Sequence, residues 1–317
     1  YNIDSVAQAE GWDNLLDPMI AAIHKCDNNS GPYCAAPVNI HRIDWMWANK
    51  AVFDANGISV PTTWDELNAA ADKLQAAGII PFAHGGQAWQ DATVFEAVAM
   101  GIGGNNYYKN CYVDLKESCL RSETTVKVFD QMRKLQGYTD EGSPGRDWNV
   151  ATGMVIEGKA GFQIMGDWAK GEFTAAGKTP GVDYYCAATP SNNGYLYNVD
   201  SFIFYKSSDP DKQAGQKLLA KLMMGKNFQK VFNLYKGSIP ARLDVSMDEF
   251  DKCAKTSNAD IKTAGAKGGL VPSFAHGMAQ GNTMKAALQD IITEHFNSDM
   301  SSKDAANALA DSVLANM

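Results

Sequence analysis

The chain has 317 residues, of which 45% are hydrophobic and 20% are charged, and its formal net charge at pH 7 is −8. This composition is ordinary for a globular protein, and the length suggests about two domains. An acidic chain with scattered Lys and Arg makes nucleic acid and anionic membrane surfaces poor partners. The sequence contains no run of about 18 consecutive apolar residues, the length that a helix needs to span a bilayer.

Helix and strand signals alternate along the chain. Residues 38–47 alternate and carry aromatic and β-branched side chains, which predicts a strand. Thr63 and Glu66 predict a capping box at the start of a helix that ends near Gly78. Further elements are predicted as strands at 160–165 and 199–205, and as helices at 210–225, 284–296 and 302–314. The alternation predicts the α/β class.

The six cysteines are even in number and spaced for pairing. Cys26 and Cys34 flank a turn-rich insert, and Cys111 and Cys119 flank a similarly short segment. We predict these two local disulfides and a third between the remaining cysteines, Cys186 and Cys253. Six buried free thiols are the alternative, and six cysteines allow about 15 connectivities. Disulfides would favour an oxidising compartment such as the periplasm.

Signatures of catalysis or metal binding are missing from the sequence. There is no G-x-S-x-G, H-E-x-x-H or Walker A motif, and the five histidines lack metal-ligand spacing. We therefore expect no cofactor and no metal. The glycines at 101–104 do not complete a dinucleotide fingerprint and are interpreted as a helix end running into a turn. Carboxylates near aromatic residues could form a glycosidase pair, but sequence alone cannot establish one: Asp91, Glu96, Asp147 and Asp167.

Three tryptophans lie in polar, glycine-rich contexts. Trp89, Trp148 and Trp168 each sit beside Asp, Asn or Gln, whereas Trp45 and Trp47 lie in an apolar run typical of a core. Sugars present flat apolar C–H faces, on which Trp stacks, and a rim of hydroxyls for polar side chains. Any one of the three could instead be a surface loop anchor, but together they indicate a sugar site.

Short segments along the whole chain carry a more specific pattern, at 37–42, 45–49, 61–66, 83–91, 145–149, 165–173, 198–202, 236–240 and 275–278. On these segments the chain resembles the carbohydrate-binding proteins of ABC importers, and most closely the periplasmic glucose-binding proteins of Gram-negative bacteria. Segment 63–66 is shared across the wider family. The segments around Trp148, Trp168, Asp200, Lys236 and His276 are more typical of the glucose branch.

The resemblance implies a two-lobe periplasmic-binding-protein fold, in which crossing strands join the lobes and a hinge closes them over the ligand. Residues 1–38 and 191–238 would belong to the N-terminal lobe, and residues 39–190 and 239–317 to the C-terminal lobe. The implied function is extracytoplasmic capture of a monosaccharide, glucose or a related hexose, for delivery to a membrane permease. A periplasmic location and a monomer are expected.

The resemblance also implies the substrate-binding residues, which are Trp89, Trp148, Trp168, Asp200, Lys236 and His276. The tryptophans would stack on the sugar, Trp89 as the third of them. Asp200 would accept hydrogen bonds from hydroxyls, and Lys236 would donate to a hydroxyl and partner the charge of Asp200. His276 would donate or accept according to its tautomer. Taken alone, Lys236 and His276 also fit ordinary surface positions.

Three alternatives stay open from the sequence. The first is the same fold with a disaccharide or oligosaccharide ligand, because three tryptophans could line several subsites. The second is a secreted glycoside hydrolase, which uses the same aromatic and carboxylate chemistry. The third is a structural or adhesive surface protein.

The chain departs from the family pattern in two places. The insert between Cys26 and Cys34 replaces an ordinary hairpin. The chain also lacks the strand and helix pair with which the family begins, so we expect the N-terminal lobe to be incomplete in this chain. The natural protein would then carry several dozen further N-terminal residues with more sugar contacts. Residues 199–205 would expose an apolar face, and this chain alone would bind sugar weakly or not at all.

Overall fold

The computed structural model describes residues 1–191 and 194–317, in which helices and short strands alternate and confirm the α/β class. The helices are α1 (Asp4–Glu10), α2 (Pro18–Ile23), α3 (Cys26–Asn29), α4 (Lys50–Ala55), α5 (Trp64–Ala76), α6 (Ala88–Tyr108), α7 (Glu117–Leu120), α8 (Glu123–Gln136), α9 (Trp148–Ile156), α10 (Ala169–Ala175), α11 (Pro210–Met223), α12 (Lys226–Lys236), α13 (Lys252–Ala266), α14 (Asn282–Asn297) and α15 (Ser302–Ala315). The strands are β1 (Ala35–Pro37), β2 (His41–Arg42), β3 (Trp45–Asn49), β4 (Ile80–Phe82), β5 (Ala160–Ile164), β6 (Tyr184–Ala188), β7 (Tyr195–Asn198), β8 (Ser201–Ile203) and β9 (Leu270–Pro272).

The chain divides into two compact units. Unit 1 comprises Tyr1–His41 and Val199–Lys255, and unit 2 comprises Arg42–Asn198 and Thr256–Met317. The chain therefore leaves and re-enters each unit. The lobe boundaries predicted from the sequence lie after residues 38, 190 and 238, and that division stays a prediction.

Unit 1 is built mainly from helices around a short ladder. Strand β1 pairs antiparallel with β8, with Ala35 opposite Ile203 and Pro37 opposite Ser201. Residues 1–38 form helices, turns and β1. Ile203 is 61% exposed, so β8 presents the apolar face expected for this segment.

Unit 2 holds a four-stranded sheet in the order β4-β5-β3-β6. Strand β3 is antiparallel to both of its neighbours, and β4 runs parallel to β5. All five residues of β5 are buried, because the sheet is covered by helices. A second ladder pairs β7 with β9 in parallel. Helices α6, α8, α14 and α15 form the apolar core around Phe95, Phe129, Leu288 and Leu309.

The predicted helix starts are confirmed. Thr63 Oγ1 accepts from the backbone N–H of Glu66 at 3.1 Å, and the Glu66 carboxylate accepts from the N–H of Thr63 at 3.2 Å. This reciprocal box begins α5. Asp209 caps α11, with Pro210 at the first helical position.

One prediction of local structure is wrong. Residues 38–47 form β2, β3 and an isolated bridge rather than one strand, because the pairing partner changes along the segment. Ile40 bridges to Ile239, the N–H of Ile43 donates to Leu196, and β3 then pairs with β5 and β6.

The glycines at 101–104 interrupt α6, as predicted for a helix end. Gly104 adopts φ 75° and ψ 179°, a conformation open only to glycine, so a first helical run ends there at a kink and a second run continues to Tyr108.

Within residues 1–191 and 194–317, no helix is both long enough and apolar enough to cross a membrane. The His, Cys, Asp and Glu side chains of these ranges form no group of three that could hold a metal ion.

The two predicted local disulfides are present. Cys26 bonds to Cys34 and Cys111 bonds to Cys119, each pair eight residues apart. Cys186 and Cys253 are also disulfide-bonded, and the described residues include no free thiol. The alternative of six free thiols is therefore wrong. The linkage of Cys186 to Cys253 stays a prediction.

We expect thiol alkylation under denaturing conditions to add no label without reductant and six labels after reduction. The reason is that all six cysteines are in disulfides. Intact mass spectrometry measures the label count, and peptide mapping of the unreduced protein should recover a peptide joining Cys186 to Cys253. Any label without reductant on these two residues would contradict the third disulfide.

The free energy of unfolding is expected to fall as the pH drops from about 6.5 to about 4. Burial, reinforced by the charge of Arg133, lowers the pKa of His295 to about 4. The unfolded histidine binds a proton near pH 6.5 and the folded one does not, so the stabilising contribution is present above pH 6.5 and is lost on acidification. His295→Leu should reduce this loss by about 2 kcal/mol, as measured by urea unfolding at pH 7 and pH 4.5.

His295→Leu should also stabilise the protein at pH 7 by about 1 kcal/mol, because neither ring nitrogen of His295 has a hydrogen-bond partner among the described residues. His24 serves as the comparison, since burial likewise lowers its pKa to about 4 but its ring bonds Ile20 and Ser201. His24→Leu should lose stability at pH 7. If the free energy of unfolding falls equally with pH in His295→Leu and in the parent protein, the loss does not come from His295.

Candidate functional site

Strand order brings the aromatic residues of unit 2 together. Strand β4 leads to Trp89 in the first turn of α6, and β5 leads to Trp168 just before α10. Because β4 and β5 are parallel, their carboxyl ends lie at the same edge of the sheet. The turn after β9 adds His276. We call Trp89, Trp168 and His276 the aromatic cluster.

The rings of the aromatic cluster touch one another. The Trp168 and His276 centroids are 5.0 Å apart, those of Trp89 and His276 are 6.0 Å apart, and those of Trp89 and Trp168 are 6.3 Å apart. The histidine meets both indoles edge to face. All three side chains are half-buried, whereas Trp45 and Trp47 are at most 1% exposed. The cluster therefore presents aromatic surface, as a ligand-binding site does.

The His276 ring is held by a hydroxyl of α6. Thr93 Oγ1 donates to the carbonyl of Trp89 at 2.8 Å and lies 3.1 Å from His276 Nε2. When the hydroxyl proton is directed to the Trp89 carbonyl, Nε2 is the donor in this contact and Thr93 Oγ1 the acceptor. Thr93 thus holds the His276 ring through Nε2.

Gln87 links Trp89 to the segment that precedes Trp148. Gln87 Oε1 accepts from Trp89 Nε1 at 2.9 Å and from Gln90 Nε2 at 3.0 Å, and Gln87 Nε2 donates to Asp147 Oδ1 at 2.7 Å. Asp147 directly precedes α9, whose first residue is the half-buried Trp148. Within the described residues Trp148 makes no ring contact with the aromatic cluster, so its predicted stacking role stays a prediction.

Trp168 lies over a glycine. The backbone of the preceding Asp167 donates to the carbonyl of Arg42 at 2.9 Å, and its carboxylate accepts from the N–H of Arg42 at 3.0 Å. This pair fixes the entry to α10. A Cβ added at Gly166 would lie 2.2 Å from the Trp168 ring, so the glycine is required for the ring's position.

Gly166→Ala is expected to displace the Trp168 ring and to weaken sugar binding about tenfold, provided that the aromatic cluster binds sugar. The φ of Gly166 does not require glycine, so the change acts through the ring contact. Titration calorimetry measures the affinity. Gly153→Ala in α9 is the matched control, because a Cβ there meets no atom within 4 Å. Equal affinities for the two variants would contradict the prediction.

Unit 1 contributes a group of polar side chains, Asn39, His41, Asp200 and Lys236, which we call the polar cluster. Asn39 Nδ2 and His41 Nε2 donate to Asp200 Oδ2 at 2.9 and 3.0 Å. The Lys236 ammonium lies 3.7 Å from the same oxygen, as the sequence predicted. Asn39 Oδ1 also accepts from the N–H of Asp200 at 2.8 Å, which locks the aspartate backbone.

The polar cluster keeps Asp200 ionised. Burial favours the neutral acid, but the hydrogen bonds from His41 and Asn39 and the charges of His41 and Lys236 outweigh it. Together they hold the pKa of Asp200 well below its usual range. The Asp200 side chain is still 39% exposed. The half-exposed Asp200 carboxylate can accept hydrogen bonds from neutral hydroxyls, and the Lys236 ammonium beside it can donate to them.

The carboxylates considered for a glycosidase pair serve other purposes. Asp91 and Glu96 are fully buried, and Asp91 bonds His84 at 2.7 Å and Thr293 at 2.8 Å. Asp147 accepts from Gln87. These carboxylates bind other protein groups, and none of them supports the glycoside hydrolase alternative.

The structure therefore brings five of the six predicted residues together in two groups and leaves Trp148 outside both. Trp89, Trp168 and His276 meet in unit 2, and Asp200 and Lys236 meet in unit 1. Sequence reasoning missed the other members and supports of these groups, which are Asn39, His41, Gln87 and Thr93. Asn39 and His41 carried a usable signal, because they are polar positions in an apolar, strand-like run. Gln87 and Thr93 carried none beyond their nearness to Trp89.

Comparison with known proteins settles the family. A family model described as bacterial extracellular solute-binding protein matches residues 1–223. The chain belongs to this family. A probable sugar-binding periplasmic protein of Brucella suis biovar 1 is 47% identical over 315 residues, which span 99% of this chain and 74% of that protein. A protein of Rhizobium meliloti with the same description is 44% identical and is matched over 99% and 75% of the two chains.

A solved structure confirms the predicted periplasmic-binding-protein fold. The bacterial solute receptor AcbH, described with an exclusive preference for β-D-galactopyranose, matches with a TM-score of 0.84 at 19% identity. The match covers 99% of this chain and 79% of AcbH. Since the family consists of extracytoplasmic binding proteins, the solute-binding protein is not an enzyme, and the predicted location outside the cytoplasm agrees with its family.

Proposed function

We propose that this solute-binding protein captures a monosaccharide, glucose or a related hexose, as the periplasmic substrate-binding protein of an ABC sugar importer. The membrane permease of that importer is its proposed partner, and the protein acts as a monomer. In unit 2 the aromatic cluster is the proposed stacking surface, and in unit 1 the polar cluster offers charged groups suited to hydroxyls.

The observation that carries the proposal is the half-buried aromatic cluster. Two indoles and an imidazole with centroids within 6.3 Å of one another form a partly exposed aromatic patch, the kind of surface on which ligand sites are built. The C–H face of a pyranose can stack on an exposed indole face of this patch. The names of the Brucella and Rhizobium relatives, which refer to sugar, support the same class of ligand.

The size of the aromatic cluster supports a monosaccharide. Its three rings form one compact patch, which matches a single sugar ring better than a row of separate subsites. In unit 1 the Asp200 carboxylate and the Lys236 ammonium offer an acceptor and a donor for sugar hydroxyls. A sugar that lacks a matching hydroxyl would lose these charge-assisted hydrogen bonds.

A disaccharide or oligosaccharide ligand is the second candidate. Trp148 favours it, because this half-buried indole stands outside the aromatic cluster among the described residues and could serve a further sugar ring. If so, Trp148→Ala should weaken binding of the longer sugar and leave the affinity for its single-ring unit unchanged.

Titration calorimetry of the full-length protein against glucose, galactose, mannose, xylose, maltose and cellobiose tests the proposal. We expect saturable one-to-one binding of one hexose, with no release of product over hours. Tight binding of maltose or cellobiose alone would replace the monosaccharide by a longer ligand. Failure of every sugar to bind would refute the sugar proposal.

A further inference from the structure

A buried carboxylate in unit 2 has no role in the aromatic cluster but lies next to it. Glu96 is in the middle of α6, two turns after Trp89, and its side chain is fully buried. Isolated buried charges are strongly destabilising, so a fully buried glutamate needs several hydrogen-bond donors around it. The identity of those donors points to its purpose.

Three of the four donors to Glu96 come from one turn. Ser273 Oγ donates to Oε1 at 2.6 Å, and the backbone N–H groups of Phe274 and Ala275 donate to Oε2 at 3.1 and 3.3 Å. The fourth donor is the Tyr108 hydroxyl at 3.0 Å. We call residues 273–276 the His276 turn. Its N–H groups converge on a single carboxylate, as in an anion-binding nest.

Side chains of α6 hold both the backbone and the ring of His276. The N–H of His276 donates to Ser273 Oγ at 3.1 Å, and that hydroxyl in turn donates to Glu96. The ring of His276 bonds through Nε2 to Thr93, which lies three residues before Glu96 on α6. Thr93 therefore fixes the ring, and Glu96 fixes the backbone that carries it.

We propose that Glu96 is a positioning residue for sugar binding, whose buried carboxylate holds the His276 turn so that the imidazole stays against Trp89 and Trp168. This role rests on the proposed function of the aromatic cluster. Glu96 itself does not touch the sugar. It acts through His276, so its removal lowers the sugar affinity only to the extent that His276 contributes to that affinity.

The charged form of Glu96 depends on these donors. Burial raises the pKa of Glu96 to about 7, although the hydrogen bonds from Ser273, Tyr108, Ala275 and Phe274 all oppose the rise. A neutral amide of the same shape would place an NH₂ group among N–H and O–H donors. Glu96→Gln therefore leaves at least one donor of the His276 turn without an acceptor.

The first test is amide hydrogen exchange, which needs no sugar. Glu96→Leu removes both oxygens, so in this variant the amide of Ala275, and to a smaller extent that of Phe274, which also donates to the Tyr108 hydroxyl, should exchange at least tenfold faster than in the parent protein. The NMR signals of the His276 ring should shift as well. Asp91→Asn is the matched control. It removes a buried carboxylate from the same helix, but Asp91 bonds His84 and Thr293 rather than the His276 turn.

The second test is a double-mutant cycle measured with the sugar that binds best in calorimetry. Glu96→Gln should weaken binding about tenfold in the parent protein and have less than a twofold effect in a His276→Ala background. Ser273→Ala breaks the same connection with a smaller change, so it should reproduce the loss if Glu96→Gln folds poorly. Asp91→Asn should change the affinity less than twofold.

The outcomes separate this inference from the proposed function. Equal losses with and without the His276 side chain, or unchanged exchange at Phe274 and Ala275, would overturn the positioning role. Faster exchange with unchanged sugar affinity would overturn it as well. If the parent protein binds no sugar, the proposed function fails, and the exchange rates together with the His276 ring signals alone decide whether Glu96 holds the turn.

Discussion

Replacing Asp200 with alanine is expected to weaken sugar binding about 30- to 100-fold, or about 2–3 kcal/mol. The substitution removes a charged acceptor that sugar hydroxyls would use. It also leaves the donors of Asn39 and His41 without their shared oxygen, and Lys236 without its nearest opposite charge. Titration calorimetry measures the loss, and circular dichroism confirms that unit 1 still folds.

Asp200→Asn is the matched control for this prediction. The amide keeps the shape and one acceptor but loses the charge, so its affinity should fall between those of the parent protein and Asp200→Ala. The effect should also be specific to unit 1. Asp244, a carboxylate paired with Arg242 and Lys226 in the same unit, can be changed to alanine with less than a twofold effect on affinity. A loss of similar size in Asp244→Ala would indicate a general destabilisation of unit 1.

Trp168→Ala is expected to weaken binding by about 1–3 kcal/mol, the range of a well-packed aromatic contact at a binding site. The loss has two parts, because the indole would stack on the sugar and also supports the edge-to-face contact with His276. Trp168→Phe keeps a smaller aromatic face and should recover part of the affinity. Calorimetry gives the affinities, and the melting temperature should change little because Trp168 is half-buried.

Trp148→Ala is expected to lose affinity within the same range, although this indole lies outside the aromatic cluster. Comparing the two tryptophan variants measures how far the sugar extends beyond the cluster. Unchanged affinity in Trp148→Ala, Trp168→Ala and Asp200→Ala together would show that the sugar binds elsewhere on the protein.

The helices could be predicted well because their signals are local. The capping box of α5 and the Asp-Pro start of α11 lie within a few residues of sequence, and both are present as predicted. Strands depend on distant partners. Residues 38–47 alternate as a strand should, yet the segment breaks because its successive parts pair with Ile239, Leu196 and the strands β5 and β6.

The site could be predicted as residue types but not as geometry. A tryptophan beside polar residues in a glycine-rich loop identified Trp89 and Trp168 before their contact was known. The partners that give these residues their roles are far away in sequence. His41 reaches Asp200 across 159 positions, and Thr93 reaches His276 across 183. No local pattern encodes such pairs, so the contact that holds the His276 ring and the ionisation of Asp200 follow only from the fold.

The distribution of the tryptophans has an optical consequence. Of the seven indoles, four are buried, namely Trp12, Trp45, Trp47 and Trp64, and the three that are half-buried are those proposed to meet the sugar. The buried four contribute a constant blue-shifted emission. If sugar stacks on the other three indoles, it removes water from their faces and changes their emission. Binding at the proposed site can then be followed by intrinsic fluorescence, for which no label is needed.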